Sequence, residues 1–399
     1  MKLNVLFDFS NMAFRSLFII GQYGLKDNYK SQRDNSKFVY KLAQDLSYMT
    51  REYAPHSRVI LALDHKNPWR KDLLKNEPVG YKEQRERDET MAWDNIFASM
   101  DDFLKIVDGK MLTTRIPTAE GDDIIALYKE HFFNNTEDES VLIVSADADI
   151  RQLADFKEDT KQFCAILNPI ANWRKKKRDF YITKEALDYV NQAVEVKESA
   201  DPVQQLMAMF NSSSGKATTN TTTRDMVGDI IRKKDISTHV IDPEEVVLNK
   251  IFCGDDSDNI PALYGFFNHN NNWIRITPSR YKKIVDEMRL ENVDDLFAKQ
   301  PMLLDAIENA MKSRPSDSIF PKLERQRRLV ELKSELFPPE IVDTFLDNVS
   351  ESLMESNHVT HTYQTMSAKA LLNDSKYEDG GSTTVANSMF KDIEKYLNS

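Results

Sequence analysis

Nine acidic side chains stand at five separated places, each following an apolar run: Asp8, Asp64, Glu120 with Asp122 and Asp123, Asp147 with Asp149, and Asp255 with Asp258. Runs such as VLFDFSN at 5–11, VILALD at 59–64 and VLIVSADAD at 141–149 read as parallel strands buried on both faces. In an open α/β sheet the ligand crevice lies beyond the carboxyl ends of the strands, so acids at several strand ends would converge there. Gathering so many carboxylates is costly unless cations offset the repulsion. Two divalent ions roughly 4 Å apart can clamp the attacking and leaving oxygens of a phosphoryl displacement. A donor set rich in Asp and Glu and poor in His and Cys suits magnesium or manganese rather than zinc. Taken singly, a strand-end Asp is more often a helix cap or a turn residue than a ligand. The repeated placement, with two doublets spaced i and i+2, carries the reading.

At 399 residues, with 41% hydrophobic and 29% charged, the chain can build one large domain or two smaller ones of ordinary globular composition. No stretch has the apolar length that spans a bilayer, and MKLNVLFDFS reads as a strand rather than a secretion signal. A cytoplasmic location is therefore expected, the host's if the chain is phage-encoded, with no membrane partner. Cys164 and Cys253 lack metal-ligand spacing and read as reduced thiols. The net charge of −11 argues against a polyanionic partner at first sight. Treating the nine carboxylates as metal ligands removes most of that excess.

The elements that must position these acids follow from periodicity. Strands are expected at 3–8, 58–63, 110–115, 141–145 and 163–167, alternating with amphipathic helices, so residues 1–185 form an α/β domain around a mostly parallel sheet. Within it, the polar, basic and aromatic segment 66–95 is too long for a plain connection and is expected to be a flexible cover. Residues 186–240 read as an insertion holding a loop at 211–223, and 241–399 as a mostly helical domain carrying the last acids. The amphipathic segment 384–397, with Val385, Met389, Phe390, Ile393 and Leu397 on one face, closes the core or docks a partner.

The run AEGDDIIALY at 119–128, followed by VSADADIRQL at 144–153 and GDDSDNIP at 254–261, resembles the successive acidic motifs of the flap endonuclease and 5′–3′ exonuclease superfamily. Within it, the likeness is closest to the ribonuclease H branch of T-even phages, through FDFSN at 7–11, ALDHKNPWRKD at 62–72, Tyr81-Lys82 with Arg85, and Trp93. It covers most of 1–165 and roughly 242–262. The resemblance implies a core of the PIN and FEN type, with a helical region carrying a diverged helix-two-turn-helix. It implies that Asp8, Asp64, Asp122 and Asp147 surround a first magnesium, that Glu120 and Asp123 are direct or water-mediated ligands, and that Asp149, Asp255 and Asp258 serve a second. Those cations would lower the pKa of the water that attacks the scissile phosphate.

Lys82 and Arg85 match the basic residues of the family's helical arch, implying that they hold and polarise the phosphodiester; composition alone would make them a solvated face beside Glu83 and Glu86. Tyr81 would stack on a base or pack on the arch, and Arg70 would touch substrate beside a packed Trp69. Arg174, Lys175 and Lys176, in WRKKKR at 173–178, suit phosphate contacts or a solvated loop equally. After GDDSDN, relatives carry a glycine-rich turn that grips duplex, often with potassium; here only Gly265 remains, which argues against potassium. Ser279, Arg280, Lys282 and Lys283 at a helix start still suit a phosphate.

The expected activity is a magnesium-dependent 5′–3′ nuclease with exonuclease, flap endonuclease and ribonuclease H action on RNA–DNA hybrids and duplex DNA. It would remove RNA primers and 5′ flaps in phage replication as a monomer, beside a separate polymerase and with a single-strand-binding protein or sliding clamp as candidate partners. The rivals are a ribonuclease of the PIN type acting on RNA alone, which would be shorter and lack GDDSDN, and a non-catalytic structure-specific DNA-binding protein, which would have shed acids.

Overall fold

The computed structural model describes residues 2–22, 36–53, 57–84, 93–108, 111–172, 174–198, 223–316 and 318–359. Strand β1 (Lys2–Asp8) leads into α1 (Phe9–Gln22), α2 (Ser36–Tyr53) and β2 (Arg58–Leu63). The short α3 (Arg70–Leu73) and α4 (Trp93–Val107) precede β3 (Leu112–Arg115), α5 (Gly121–Asn135) and β4 (Glu139–Val144). Next come β5 (Asp155–Lys157), β6 (Gln162–Asn172), β7 (Lys177–Ile182), α6 (Lys184–Glu198), α7 (Thr223–Ile231) and β8 (Ile236–Val240). The remainder is α8 (Pro243–Cys253), a hairpin of β9 (Gly265–Phe267) and β10 (Trp273–Arg275), then α9 (Pro278–Met288), α10 (Val293–Ala298), α11 (Gln300–Met311), α12 (Ile319–Val330) and α13 (Pro339–Val359).

The sheet runs β3-β2-β1-β4-β6-β7-β8, with β5 paired to β6. The strands from β3 through β6 along this order are parallel, β7 is antiparallel to β6, and β8 is parallel to β7. Successive strand residues face opposite sides, and both sides are covered. Leu3, Val5 and Phe7 of β1 pack with α1, α2 and α4, while Leu6 packs with Ile124 and Tyr128 of α5. This is why the central strands are apolar without a polar alternate. The expected strands at 3–8, 58–63, 110–115, 141–145 and 163–167 correspond to β1, β2, β3, β4 and β6. Strands β7 and β8, with the charged sequence KRDFYI and the polar ISTHV, escaped the periodicity.

Domain boundaries differ from expectation in two places. Val227 and Ile230 of α7 and Ile236 of β8 belong to the same core as β1, so the later part of 186–240 completes the sheet domain. The loop expected at 211–223 lies, up to residue 222, outside the described residues, as does 384–397. At the other end, Phe337, Ile341, Phe345 and Val349 return to pack on α5. Only α8 through α12 form a separate helical core, which also takes in Leu74 and Tyr81. Among the described residues no helix is long and apolar enough to cross a membrane, and Cys164 and Cys253 are free.

The return of α13 rests on Phe345, whose buried ring meets the Tyr128 ring edge-on at a centroid distance of 4.9 Å. Phe345→Ala is expected to cost about 3–5 kcal/mol in urea unfolding followed through the sheet domain. Unchanged sheet unfolding would place this helix in the helical region instead.

Candidate active site at the carboxyl edge of the sheet

The chain leaves β1 toward β2 and β3, then returns to β4 on the other side of β1, so the topological switch point lies between β1 and β4. Asp8, the last residue of β1, sits there. Its Oδ1 accepts the Asn11 amide at 3.0 Å and its Oδ2 accepts the Ser145 hydroxyl at 2.9 Å. Ser145 Oγ in turn accepts the Asp147 amide at 3.0 Å, and Asp147 Oδ1 accepts the Asp149 amide at 2.9 Å. Asn11 Oδ1 accepts the Ala146 amide at 3.2 Å. Asp64, just past β2, accepts the Gly121 amide at 2.7 Å, capping the α5 helix whose first turn carries Asp122. Ser145 and Asn11 were not singled out as positioning residues, although FDFSN and VSADAD place them three and two residues from their acids.

The four carboxylates act on one another. Burial, then the charges of Asp64 and Asp147, push the Asp8 carboxyl up to about 7, against hydrogen bonds from Asn11 and Ser145. Burial and the charges of Asp147, Asp8 and Glu120 hold Asp122 well above the usual carboxylate range, with Lys82 opposing. Among the described residues no three acids, histidines or cysteines are closed around one point at metal spacing. The charges of Asp64 and Asp147 nevertheless reach Asp8, and those of Asp8 and Asp147 reach Asp122, so the four acids stand near one another at the carboxyl edge of the sheet. An all-oxygen, electrostatically frustrated donor set of this kind fits a hard divalent cation, whose charge would relieve the repulsion.

The other expected ligands are engaged differently. The Glu120 carboxylate receives Arg70 Nη1 at 3.1 Å, the Tyr81 hydroxyl at 3.0 Å and Lys82 Nζ at 2.5 Å. Burial works against its charge, but Lys82, Arg70 and Tyr81 outweigh that and lower its pKa. Asp123 is fully buried; it accepts the Trp69 indole N–H and the Glu120 amide at 3.0 Å each and pairs with Arg70 Nη2 at 2.7 Å. Asp123 therefore anchors the start of α5 through Trp69 and Arg70. Arg70 and Tyr81, expected at the substrate, are packed in the same network. The buried Arg70 stacks on Trp69 at 4.7 Å and donates to the Leu329 carbonyl, and the buried Tyr81 gives its hydroxyl to Glu120 and approaches Asp258 at 3.3 Å. Within the expected cover, Trp69 and Leu73 pack on the sheet core and Leu74 and Tyr81 on the helical core, while residues 85–92, with Arg85, lie outside the described residues.

Lys82 keeps an exposed flank at the site. Its backbone adopts the left-handed region (φ 57°) and its amide donates to the Asp258 carbonyl at 3.0 Å. Burial disfavours its charge, yet Tyr81, Glu120, Asp258 and Asp122 outweigh burial and raise its pKa well above the ordinary lysine value.

Of the acids expected at a second metal, Asp149 and Asp255 meet across a lysine, and Asp258 stands beside another. Lys250, which sequence reasoning did not single out, places its ammonium between Asp149 and Asp255, 2.5 Å from the latter, while Asp258 stands 3.5 Å from Lys82 Nζ. Burial opposes ionisation of Asp255, but Lys250 and Ser257 hold its carboxyl at about 2. Gly254 turns the chain out of α8 at φ +73°, where a Cβ would come 2.3 Å from the Ile260 carbonyl.

Arg174, Lys175 and Lys176 form the exposed tip between β6 and β7. Because β6 is parallel to β4 with Leu167 beside Val144, its five further residues carry that tip roughly 16 Å past the sheet's carboxyl edge, on the Asp147 side. Lys282 and Lys283 of α9 are exposed, whereas Arg280 donates to the Arg275 carbonyl at 2.7 Å.

Two outcomes follow from this geometry. Arg70→Gln leaves the buried Asp123 carboxylate uncompensated and is expected to cost about 3–5 kcal/mol of stability in chemical denaturation; a weakened substrate KM without loss of stability would restore a substrate role. The Asp8 carboxyl, raised from 3.8 to about 7, holds a proton that the unfolded chain releases, so the fold loses stability as pH rises through that window. In chelator, Asp8→Asn is expected to melt higher than wild type at pH 8 and with no difference at pH 4. An equal melting temperature at pH 8 would overturn the electrostatic cost assigned to Asp8.

Comparison with known proteins places this geometry. Over residues 3–219 the chain matches the family model described as 5′-3′ exonuclease, N-terminal resolvase-like domain. It is similar in fold to the bacteriophage T5 flap endonuclease solved as a pseudo-enzyme-product complex with DNA and metal ions, at 16% identity and TM-score 0.53, covering 90% of this chain and 100% of that one. The T5 5′-exonuclease with bound zinc gives 17% identity and TM-score 0.51, with 90% and 100% covered. No curated protein matches the chain. With more than half of its length matched and its acids gathered at the switch point of the sheet, the chain belongs to the 5′-3′ exonuclease family.

Proposed function

We propose that this protein is a magnesium-dependent 5′–3′ nuclease with exonuclease, flap endonuclease and ribonuclease H activity, which removes RNA primers and 5′ flaps during phage DNA replication. The observation that carries the reading is the crevice of Asp8, Asp64, Asp122 and Asp147 at the switch point, in a chain of this family. The T5 relative solved with DNA and metal ions supports a nucleic-acid substrate and metal use.

Asp8, Asp64, Asp122 and Asp147 would hold the principal cation, magnesium or manganese, with Glu120 within reach beside Lys82. When bound, a divalent cation supplies charge neutralisation and lowers the pKa of an attacking water. Ser145 and Asn11 fix the Asp8 carboxylate, so the site is preorganised from the protein side. Lys82, held by Glu120 and flanked by Asp258, would draw the scissile phosphate toward the carboxylates and offset its charge. Asp149, Asp255 and Asp258 would take a second cation only after Lys250 and Lys82 swing away. Catalysis resting chiefly on the first set is the simpler reading.

The exposed basic tip at 174–176 and Lys282 and Lys283 would meet duplex phosphates. A cytoplasmic monomer working with a single-strand-binding protein or sliding clamp fits a replication nuclease. The intact acids weigh against a non-catalytic DNA-binding protein, and the helical region from α8 to α12 against a minimal ribonuclease.

The test uses 5′-labelled RNA–DNA hybrid, flapped duplex and single-stranded RNA. Digestion of the first two is expected to need magnesium, stop in chelator and fall by at least about a hundredfold in Asp147→Ala. Digestion of RNA alone, or unchanged digestion by the variant, would sink the proposal.

A further inference from the structure

The segment after Asp258 carries a surface that the catalytic reading does not use. Antiparallel β9 and β10 place Phe266 and Ile274 inward against the helical core, and Gly265, Phe267, Trp273 and Arg275 outward. Phe267 is 64% exposed and Trp273 54%, and their rings meet with centroids 4.9 Å apart. The Trp273 indole lies across Gly265, where a Cβ would be 2.5 Å from Cζ2, so the glycine seats the ring. Arg275 forms a two-pronged pair with Asp256 at 2.6 and 2.7 Å, and Arg280 donates to the Arg275 carbonyl. These contacts tie the hairpin to the loop of Asp255 and Asp258 and leave a rigid aromatic ledge facing out.

Along the chain, the interval that carries the ledge is basic, and Asp256, just before it, is taken up by Arg275. No Asp or Glu occurs between Asp258 and Asp286, although the chain holds 64 in 399 residues, while Arg275, Arg280, Lys282 and Lys283 fall in that interval. The hairpin tip is Asn268, His269, Asn270, Asn271 and Asn272, all hydrogen-bonding groups without negative charge. An apolar, partner-binding face in an acidic protein would not need that depletion.

We propose that Phe267 and Trp273 form a base-stacking platform for the nucleic acid, an unpaired or terminal base lying on the rings while Lys282 and Lys283 meet the adjoining phosphates. The proposal rests on the nuclease reading and adds a substrate-positioning contact to it. Aromatic faces stack on any base, so the contact is independent of sequence. Because stacking releases no counterions, it is also distinguishable from the lysine contacts by salt.

A cross-strand aromatic pair stabilises a hairpin even without a ligand, so the test separates binding from folding. Binding of fluorescein-labelled flap DNA to the full chain is followed by anisotropy in chelator over a salt series, with melting curves for each variant. Trp273→Ala and Phe267→Ser are expected to weaken binding on the order of tenfold with an unchanged slope of log K against log salt. Trp273→Phe should retain most of the affinity, and Lys282→Ala should reduce the slope by about 0.9. Unchanged affinity in both aromatic variants overturns the platform, as does loss in Trp273→Phe equal to that in Trp273→Ala. A wild-type dimer that Trp273→Ala dissociates overturns it too, by assigning the ledge to a second copy. Wild-type protein that neither binds nor cleaves flap DNA would instead overturn the nuclease reading itself.

Discussion

The carboxylate of Glu120 joins three parts of the molecule. It stands where α5 begins, receives Arg70, Tyr81 and Lys82 from the segment that crosses from sheet to helical core, and through Tyr81 and Lys82 reaches Asp258 in the loop after α8. Arg70 extends the network to Asp123 and the Leu329 carbonyl. Buried charges are tolerated only when paired and hydrogen-bonded, so these groups hold their geometry together or not at all. The helical region is thereby registered against the sheet, and Lys82 against the acids.

Next to this network of paired charges lies its electrostatic opposite. Asp8 and Asp122 are buried beside like charges, and local hydrogen bonds from Asn11 and Ser145 to Asp8 only partly offset the cost. The two regions meet at one helix start, where Glu120 belongs to the first and Asp122, on the far side of Gly121, to the second. One turn of backbone thus faces a neutralised cluster on one side and a cation-seeking crevice on the other. Lys250 plays a corresponding part between Asp149 and Asp255, where a protein ammonium occupies the space between two acids.

The sheet sets what surrounds the crevice. Its parallel strands deliver Asp8, Asp64 and Asp147 to a single edge, and the overhang of β6 sends the basic tip past that edge. On the helical side, the Asn-rich segment after GDDSDN forms the β9–β10 hairpin, and its anchoring to Asp256 links an exposed aromatic surface to the acidic loop.

Much of this was legible in the chain. Fully apolar runs ending in Asp are enough to place β1, β2 and β4 and their terminal acids, because a strand buried on both faces admits few other sequences. The partners of Arg70, Tyr81 and Asp123 were not legible, since a basic, aromatic or acidic residue carries no mark of which group it will meet 39 to 259 residues away. Ser145 and Lys250, polar residues of common type in ordinary surroundings, were not legible either, and α7 and β8 read as an insertion and α13 as part of the helical region, because which sheet edge or helix face is still open depends on everything folded before. The sequence by itself determined the strand-end acids and their family motif, properties of local periodicity and residue type. Only the tertiary structure decided which carboxylates are left facing one another and which are neutralised, because pairing over long separations depends on packing, and the sequence does not encode distance.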